Sequence, residues 1–256
     1  MGHPPLIVFT DLDGTLLDHE TYSYTAAQPA LRRLAEVGAP LILASSKTAA
    51  EIAVFQQRIG CEAFPAIVEN GAGLLVDVTD GQPPYQRLIA ALAHIPARLR
   101  ARFEGFHDLG PDGIARVTGL SPEGAFLAGQ RQFSEPGLWH GTEAEQEAFL
   151  AALNAHGVQA RRGGRFLTLS FGGTKADRMA DIASRYGSPP SVALGDAPND
   201  VEMLTTADRG VIVENPHGAT LPQLEGEAEG RIVRTDRPGP LGWNTAMLDI
   251  LDSMHL

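Results

Sequence analysis

The sequence predicts an α/β fold, a parallel sheet flanked by helices, interrupted by an inserted α+β lobe. Three observations lead there. Apolar runs rich in β-branched residues alternate with segments of helical periodicity at both ends of the chain, the middle changes texture, and polar residues fall immediately after the apolar runs.

LIVFT (6–10) is a continuous apolar run, the pattern of a strand buried on both faces. Ala30, Leu31, Leu34 and Val37 recur at helical spacing within 26–37, and Gly38 closes that helix. PLILASS (40–46) reads as a second strand, TAAEIAVFQQRIG (48–60) as a helix, and AFPAIVEN (63–70) as a third strand. Strands alternating with helices at these intervals require right-handed crossovers, hence a parallel sheet.

DGQPPY (80–85) breaks the pattern. After it, LIAALAHIPARLRARF, GIARVTGL, EGAFLAGQRQF and TEAEQEAFLAALNAHG read as helices, and VQARRGGRFLTLSF as a hairpin turning at Gly163 and Gly164. From Lys175 the first texture returns, with a helix KADRMADIASRYG, a strand SVALGD, a helix around NDVEMLTTA, a strand GVIVEN and a C-terminal helix WNTAMLDILDSM. The expected organisation is a core of 1–80 and 172–256 with an α+β insertion at 81–171.

Composition removes several function classes. The chain of 256 residues is 43% hydrophobic and 20% charged, in the range of globular proteins rather than disordered ones. A formal net charge of -11 opposes a broad nucleic-acid or anionic-membrane surface, though it permits one local basic pocket for a phosphate. Cys61 is the only cysteine, which excludes an intrachain disulfide and a cysteine-built zinc site. No basic stretch opens a secretory signal and no apolar segment has the length of a membrane span, so the expected setting is cytoplasmic.

In open α/β sheets, ligands bind beyond the carboxyl ends of the strands. Asp11 and Asp13 follow the first strand, Ser45 the second, Glu69 and Asn70 the third, and Asp196 and Asp200 follow SVALG. The four aspartates on one rim repel, and a hard divalent cation is the natural compensation; an all-oxygen ligand set favours magnesium. Asp-x-Asp on an extended chain places both side chains on one side, which suits two carboxylates addressing one phosphorus. A metal-bound Asp11 stays ionised and can be a nucleophile, while Asp13, if it meets the metal through its carbonyl, can keep a proton for the leaving oxygen. Gly14 then lets the chain turn sharply.

DLDGT (11–15), Ser45, Lys175 and GDAPND (195–200) together resemble the four motifs of the haloacid dehalogenase-like phosphatases, and the insertion resembles the C2B-type cap of their Cof-type subgroup. The resemblance is sharpest at LASSKT (43–48), VENGAGL (68–74), HDLGPDGIARVTGL (107–120) and AGQRQFSEP (128–136). It implies a Rossmann-like core and a magnesium-dependent phosphatase acting on a small phosphorylated sugar-glycerate. By position it makes Asp11 the nucleophile and Asp13 the general acid, then base. Ser45 binds the phosphoryl group, Lys175 neutralises charge, and Asp11, Asp13, Asp196 and Asp200 serve the metal. In the insertion, Arg131 and Arg165 are the candidates for the substrate's carboxylate or sugar, since guanidinium suits bidentate carboxylate recognition. Ser134 and Glu135 are candidates for sugar hydroxyls, and Asn70 is a contact from the core. Two departures stand out: Thr174 and Ala176 flank Lys175 where the family commonly has Asp and Gly, and Ala197 and Pro198 replace more usual residues in the last motif. Intact Asp11 and Asp13 argue against a binding protein without turnover, which needs neither.

Overall fold

The structure is a computed structural model, described over residues 3–75, 84–163 and 165–256. The chain runs β1 (Ile7–Thr10), α1 (Gln28–Glu36), β2 (Leu41–Leu43), α2 (Ala49–Ile59), β3 (Ala66–Val68) and β4 (Gly73–Leu75). It continues through α3 (Pro84–Ala93), α4 (Ala97–Arg100), β5 (Phe103–Gly105), α5 (Phe106–Thr118), α6 (Pro122–Ala128), β6 (Ser134–Trp139), α7 (Glu143–Asn154), β7 (Gln159–Gly163) and β8 (Phe166–Ser170). It closes with α8 (Lys175–Arg185), β9 (Ser191–Gly195), α9 (Val201–Thr206), β10 (Arg209–Glu214), β11 (Ile232–Pro238) and α10 (Gly239–Ser253).

These elements form two compact units, one of Met1–Ser45, Ile59–Ile67 and Thr174–Leu256, the other of Ser46–Arg58 and Val68–Gly173. The second unit contains the whole expected insertion and also takes 46–58. The expected boundary at 80/81 lies outside the described residues, as do the start of DGQPPY and Gly164 at the hairpin turn.

The first unit is the parallel α/β sheet the sequence predicts. Its strands lie in the order β11-β10-β9-β1-β2, every pairing is parallel, and Ala44 adds a single parallel bridge to Ile67. The order places the apolar run of β1 inside the sheet, between β9 and β2, where Ile7, Val8 and Phe9 are fully buried. Helices α1 and α10 pack on one another, and so do α8 and α9. Sequentially distant segments thereby end side by side: Thr10 pairs with Leu43 on one side and Leu194 on the other. Asp11 and Asp196 follow their strand ends directly, and Ser45 comes two residues after the end of β2.

The second unit is an antiparallel sheet, β5-β6-β8-β7, with helices. Leu88 and Leu92 of α3 and Phe149 and Leu153 of α7 meet Phe103, Leu167 and Leu169 from the sheet. The expected helix over LIAALAHIPARLRARF is three elements instead: α3 ends at Ala93, Pro96 leads into the single turn of α4, and Phe103 begins β5. The helix expected over EGAFLAGQRQF stops at Ala128, because the following stretch turns into β6. Among the described residues no helix is long and apolar enough to cross a membrane.

Candidate active site

In the first unit, four of the sequence-predicted residues meet at the ends of β1 and β9. Lys175 is the first residue of α8, whose start is fixed by a capping box: Asp177 N–H donates to Thr174 Oγ1 at 3.1 Å, and Thr174 N–H donates to the Asp177 carboxylate at 2.8 Å. Thr174, one of the departures from the family's text, is thus the residue that starts this helix. The ammonium donates to Asp11 Oδ1 at 2.6 Å and to Asp200 Oδ1 at 2.7 Å, with only 1% of the lysine exposed. The other oxygen of Asp200 accepts the amides of Asp196 at 3.2 Å and Ala197 at 3.1 Å. Pro198 begins the single tight turn that brings Asp200 inward, as expected for proline at a helix start.

Asp196 is held at both oxygens. Thr15 Oγ1 donates to one at 2.5 Å and Asn215 Nδ2 to the other at 2.7 Å. Asn215 stands at the end of β10 and escaped the sequence reading, although the strand-end rule that found Asp196 applies to it equally. Gly14 makes this packing possible. Its φ of +80° is left-handed, and a Cβ there would sit 2.7 Å from Asn215 Nδ2.

One ammonium faces the carboxylates of Asp11 and Asp200, with Asp196 close by. Burial raises the Asp11 carboxyl well above the ordinary range; Lys175 opposes this, and Asp200, Asp196 and Asp13 reinforce it. Asp196 is raised by burial against the hydrogen bonds of Thr15 and Asn215. Burial pulls Lys175 down, but Asp11 and then Asp200 outweigh it and hold the ammonium above the ordinary lysine value, so it stays charged.

Oxygens of Asp11, Asp196 and Asp200 lie within 4.8 Å of one another. A set of hard carboxylate oxygens that repel one another and share one ammonium fits a hard divalent cation such as magnesium. The Asp13 carboxylate is outside this trio; the residue is half-buried beside Gly14 and forms a parallel bridge with Leu17. Ser45 is 1% exposed, its amide bonded to Ile67 O, one residue past the Ala44 amide that pairs with Thr10.

The remaining candidates lie in the second unit. Arg131 is turned inward, 3.3 Å from Glu69 Oε2, donating to Ser134 Oγ at 2.7 Å and to Ser46 O at 3.3 Å. Glu69 accepts the amides of Gln132, Phe133 and Ser134 and the Ser134 hydroxyl. Glu69 and Asn70 both have left-handed backbones, at φ +52° and +59°. Glu135 is buried, accepting Tyr85 Oη at 2.7 Å and the His107 amide at 2.8 Å. Arg165 stands apart from these, exposed, over the Phe166 ring and bonded to Val117 O.

The sequence matches the haloacid dehalogenase-like hydrolases over 8–94 and 147–222, stretches that include Asp11, Asp13, Ser45, Lys175, Asp196 and Asp200. Solved structures share the fold at low identity. The sucrose-phosphatase of a Synechocystis species, solved with sucrose and phosphate, is 16% identical with a TM-score of 0.61, over 98% of each chain. A sugar phosphatase of HAD subclass IIB is 19% identical with a TM-score of 0.61, covering 95% of this chain and 98% of that one. A protein from Geobacillus kaustophilus is 18% identical with a TM-score of 0.66, over 99% of each chain. With more than half its length matched to the family, this chain belongs to the haloacid dehalogenase-like hydrolases.

Proposed function

We propose that the protein is a magnesium-dependent phosphatase that hydrolyses mannosyl-3-phosphoglycerate to mannosylglycerate and phosphate, a step in making a compatible solute in the cytoplasm. The observation that carries the phosphoryl-transfer part is the convergence of Asp11, Asp196 and Asp200 around the buried Lys175 ammonium. Support for the substrate comes from LASSKT, VENGAGL, HDLGPDGIARVTGL and AGQRQFSEP, which resemble mannosyl-3-phosphoglycerate phosphatase, a likeness that runs over nearly the full chain.

In this reading an Asp11 oxygen attacks phosphorus as the phosphorus–oxygen bond to glycerate breaks, and Asp13 gives the departing oxygen its proton. Asp13 then takes a proton from a water that attacks the aspartyl-phosphate, which frees phosphate and restores Asp11. Lys175 holds Asp11 in place and offsets charge on the phosphoryl group, and the Ser45 hydroxyl binds a phosphoryl oxygen. Asp11, the Asp13 carbonyl and Asp196 would hold magnesium with Asp200 in support, and the bound ion neutralises phosphate charge. Positioning and charge stabilisation supply most of the rate.

Residues 81–171 are the proposed specificity lobe. Arg131 carries the strongest case there, because a planar guanidinium suits the glycerate carboxylate. Ser134, Glu135, Arg165 and Asn70 complete the proposed recognition set; Ser134 acts through its bond to Arg131. A second reading, a phosphatase for the glucosyl analogue or another sugar phosphate, draws on the names of the structural relatives, two of which are sugar phosphatases.

The test is phosphate release with magnesium from mannosyl-3-phosphoglycerate, its glucosyl analogue, 3-phosphoglycerate and mannose phosphates. Strong preference for the mannosyl compound is expected. Equal, slow turnover of all four would put the second reading in its place, and no release from any would end both.

A further inference from the structure

Asp11 has its backbone bonded on both sides. Its N–H donates to Leu194 O at 2.9 Å, as the last rung between β1 and β9. Its C=O accepts the Thr10 hydroxyl at 2.8 Å, and that hydroxyl accepts the indole N–H of Trp243 at 2.9 Å. Thr10 and Trp243 are both fully buried. An indole nitrogen only donates, so the chain of bonds has one direction, from Trp243 through Thr10 to the Asp11 carbonyl. With an acceptor site of the hydroxyl taken by the indole, its single proton is committed to that carbonyl.

That carbonyl belongs to the peptide joining Asp11 to Leu12, which holds the Cα of Asp11 at one end and sets the path of the chain through Leu12 to Asp13. Past it the sheet ladder no longer holds the chain. Trp243 can serve as the far anchor because α10 begins hard against the end of β11. A Cβ on Gly242 would lie 2.0 Å from Arg237 O, a position that admits no other residue without rearrangement. A buried tryptophan usually finds some partner for its N–H. Here the partner is a hydroxyl that bonds the Asp11 carbonyl.

We propose that Trp243 and Thr10 form a positioning relay that fixes the peptide after Asp11 and so aims both aspartates at the phosphoryl group. The proposal rests on the phosphatase reading. Its role is indirect: neither residue touches substrate, and each acts through the backbone of Asp11.

The test compares Trp243→Phe, Thr10→Val and Thr10→Ser with wild type, all as full chains with magnesium. Turnover of a generic aryl phosphate is measured beside uptake of trifluoroberyllate, a tetrahedral stand-in for a phosphoryl group on a carboxylate, followed by fluorine NMR. Trp243→Phe and Thr10→Val are expected to lower kcat by roughly ten- to a hundredfold with KM little changed, since small misplacements of reacting groups cost that much. Thr10→Ser, which keeps the hydroxyl, is expected to stay within about threefold of wild type, and the double variant to fall no further than the weaker single one. Adduct occupancy should fall in the same order. Trp243→Phe and Thr10→Ser keep the comparison decisive should Thr10→Val fold poorly. A wild type that turns over and takes the adduct, beside variants equal to it or a double variant with additive losses, would overturn the relay alone. A wild type that does neither would overturn the phosphatase reading and the relay with it.

Discussion

A buried polar cluster around Glu69 in the second unit and another around Lys175 in the first are built from the same kinds of group in different balance. In the second unit Glu69 faces one guanidinium and accepts four hydrogen bonds, three of them from consecutive backbone amides. Every demand of that carboxylate is met, and it fixes the backbone of 132–134. In the first unit one ammonium stands against Asp11 and Asp200, with Asp196 within reach, and burial leaves the Asp11 and Asp196 carboxyls raised. Burial and polarity are common to both clusters. Charge imbalance separates them: a balanced network rigidifies, whereas one with excess negative charge calls for a cation.

Substitutions that break the contrast should differ most where the imbalance is used. Asp11→Asn is expected to lower kcat by at least about 10⁴-fold while the protein still folds, because the nucleophile has no substitute. Aryl phosphate turnover beside thermal unfolding reads both; substantial activity in the variant would remove Asp11 from its role. Lys175→Met leaves buried carboxylates without their cation and should cost about 3–5 kcal/mol of stability. Urea unfolding would measure that, and magnesium is expected to recover part of the loss.

Glu69→Gln should be milder, about 1–3 kcal/mol, since an amide retains an acceptor for the 132–134 amides but loses the charge facing Arg131. Its kinetic effect is expected in KM more than kcat. A collapse of kcat as deep as that of Asp11→Asn would erase the distinction between the clusters.

The smallest effect concerns Glu135. Burial raises its carboxyl above the ordinary glutamate value of 4.5, against the opposing bonds from His107 and Tyr85. The folded chain therefore binds that proton more tightly than the unfolded one. The stabilisation it brings is fully present below the ordinary value and is lost as pH rises through the folded one. Urea midpoints between about pH 4 and about pH 7 should show wild type losing stability relative to Glu135→Gln as pH rises; a flat difference would contradict the sign.

The parallel core was legible because a strand buried on both faces announces itself as an apolar run, and LIVFT and SVALG did. The same logic exposed Asp11, Ser45 and Asp196, since residues after such runs are placed by the sheet. Strand β6 was hidden. It lies inside its sheet yet carries Pro136 and Gly137, residues that ordinarily argue against a central strand. Gly137 is required there because a Cβ would lie 2.4 Å from the Phe103 ring. Strand β11 was hidden differently: IVRTDRP lies at the sheet edge, largely exposed, and reads as a charged loop. Asn215 stood at a strand end where the same rule could have found it, whereas the bond of Trp243 to Thr10 left no motif, because the two residues are 233 positions apart in sequence.

Transfer of a phosphoryl group through Asp11 is the chemistry expected of the unbalanced cluster. Its most direct test is to quench the enzyme with acid during turnover of mannosyl-3-phosphoglycerate, reduce with borohydride and map the chain by mass spectrometry. Reduction converts an aspartyl-phosphate to homoserine. Homoserine at position 11, dependent on both magnesium and substrate, is the expected result. Phosphate release without any modification at position 11, or modification at another carboxylate, would contradict the account.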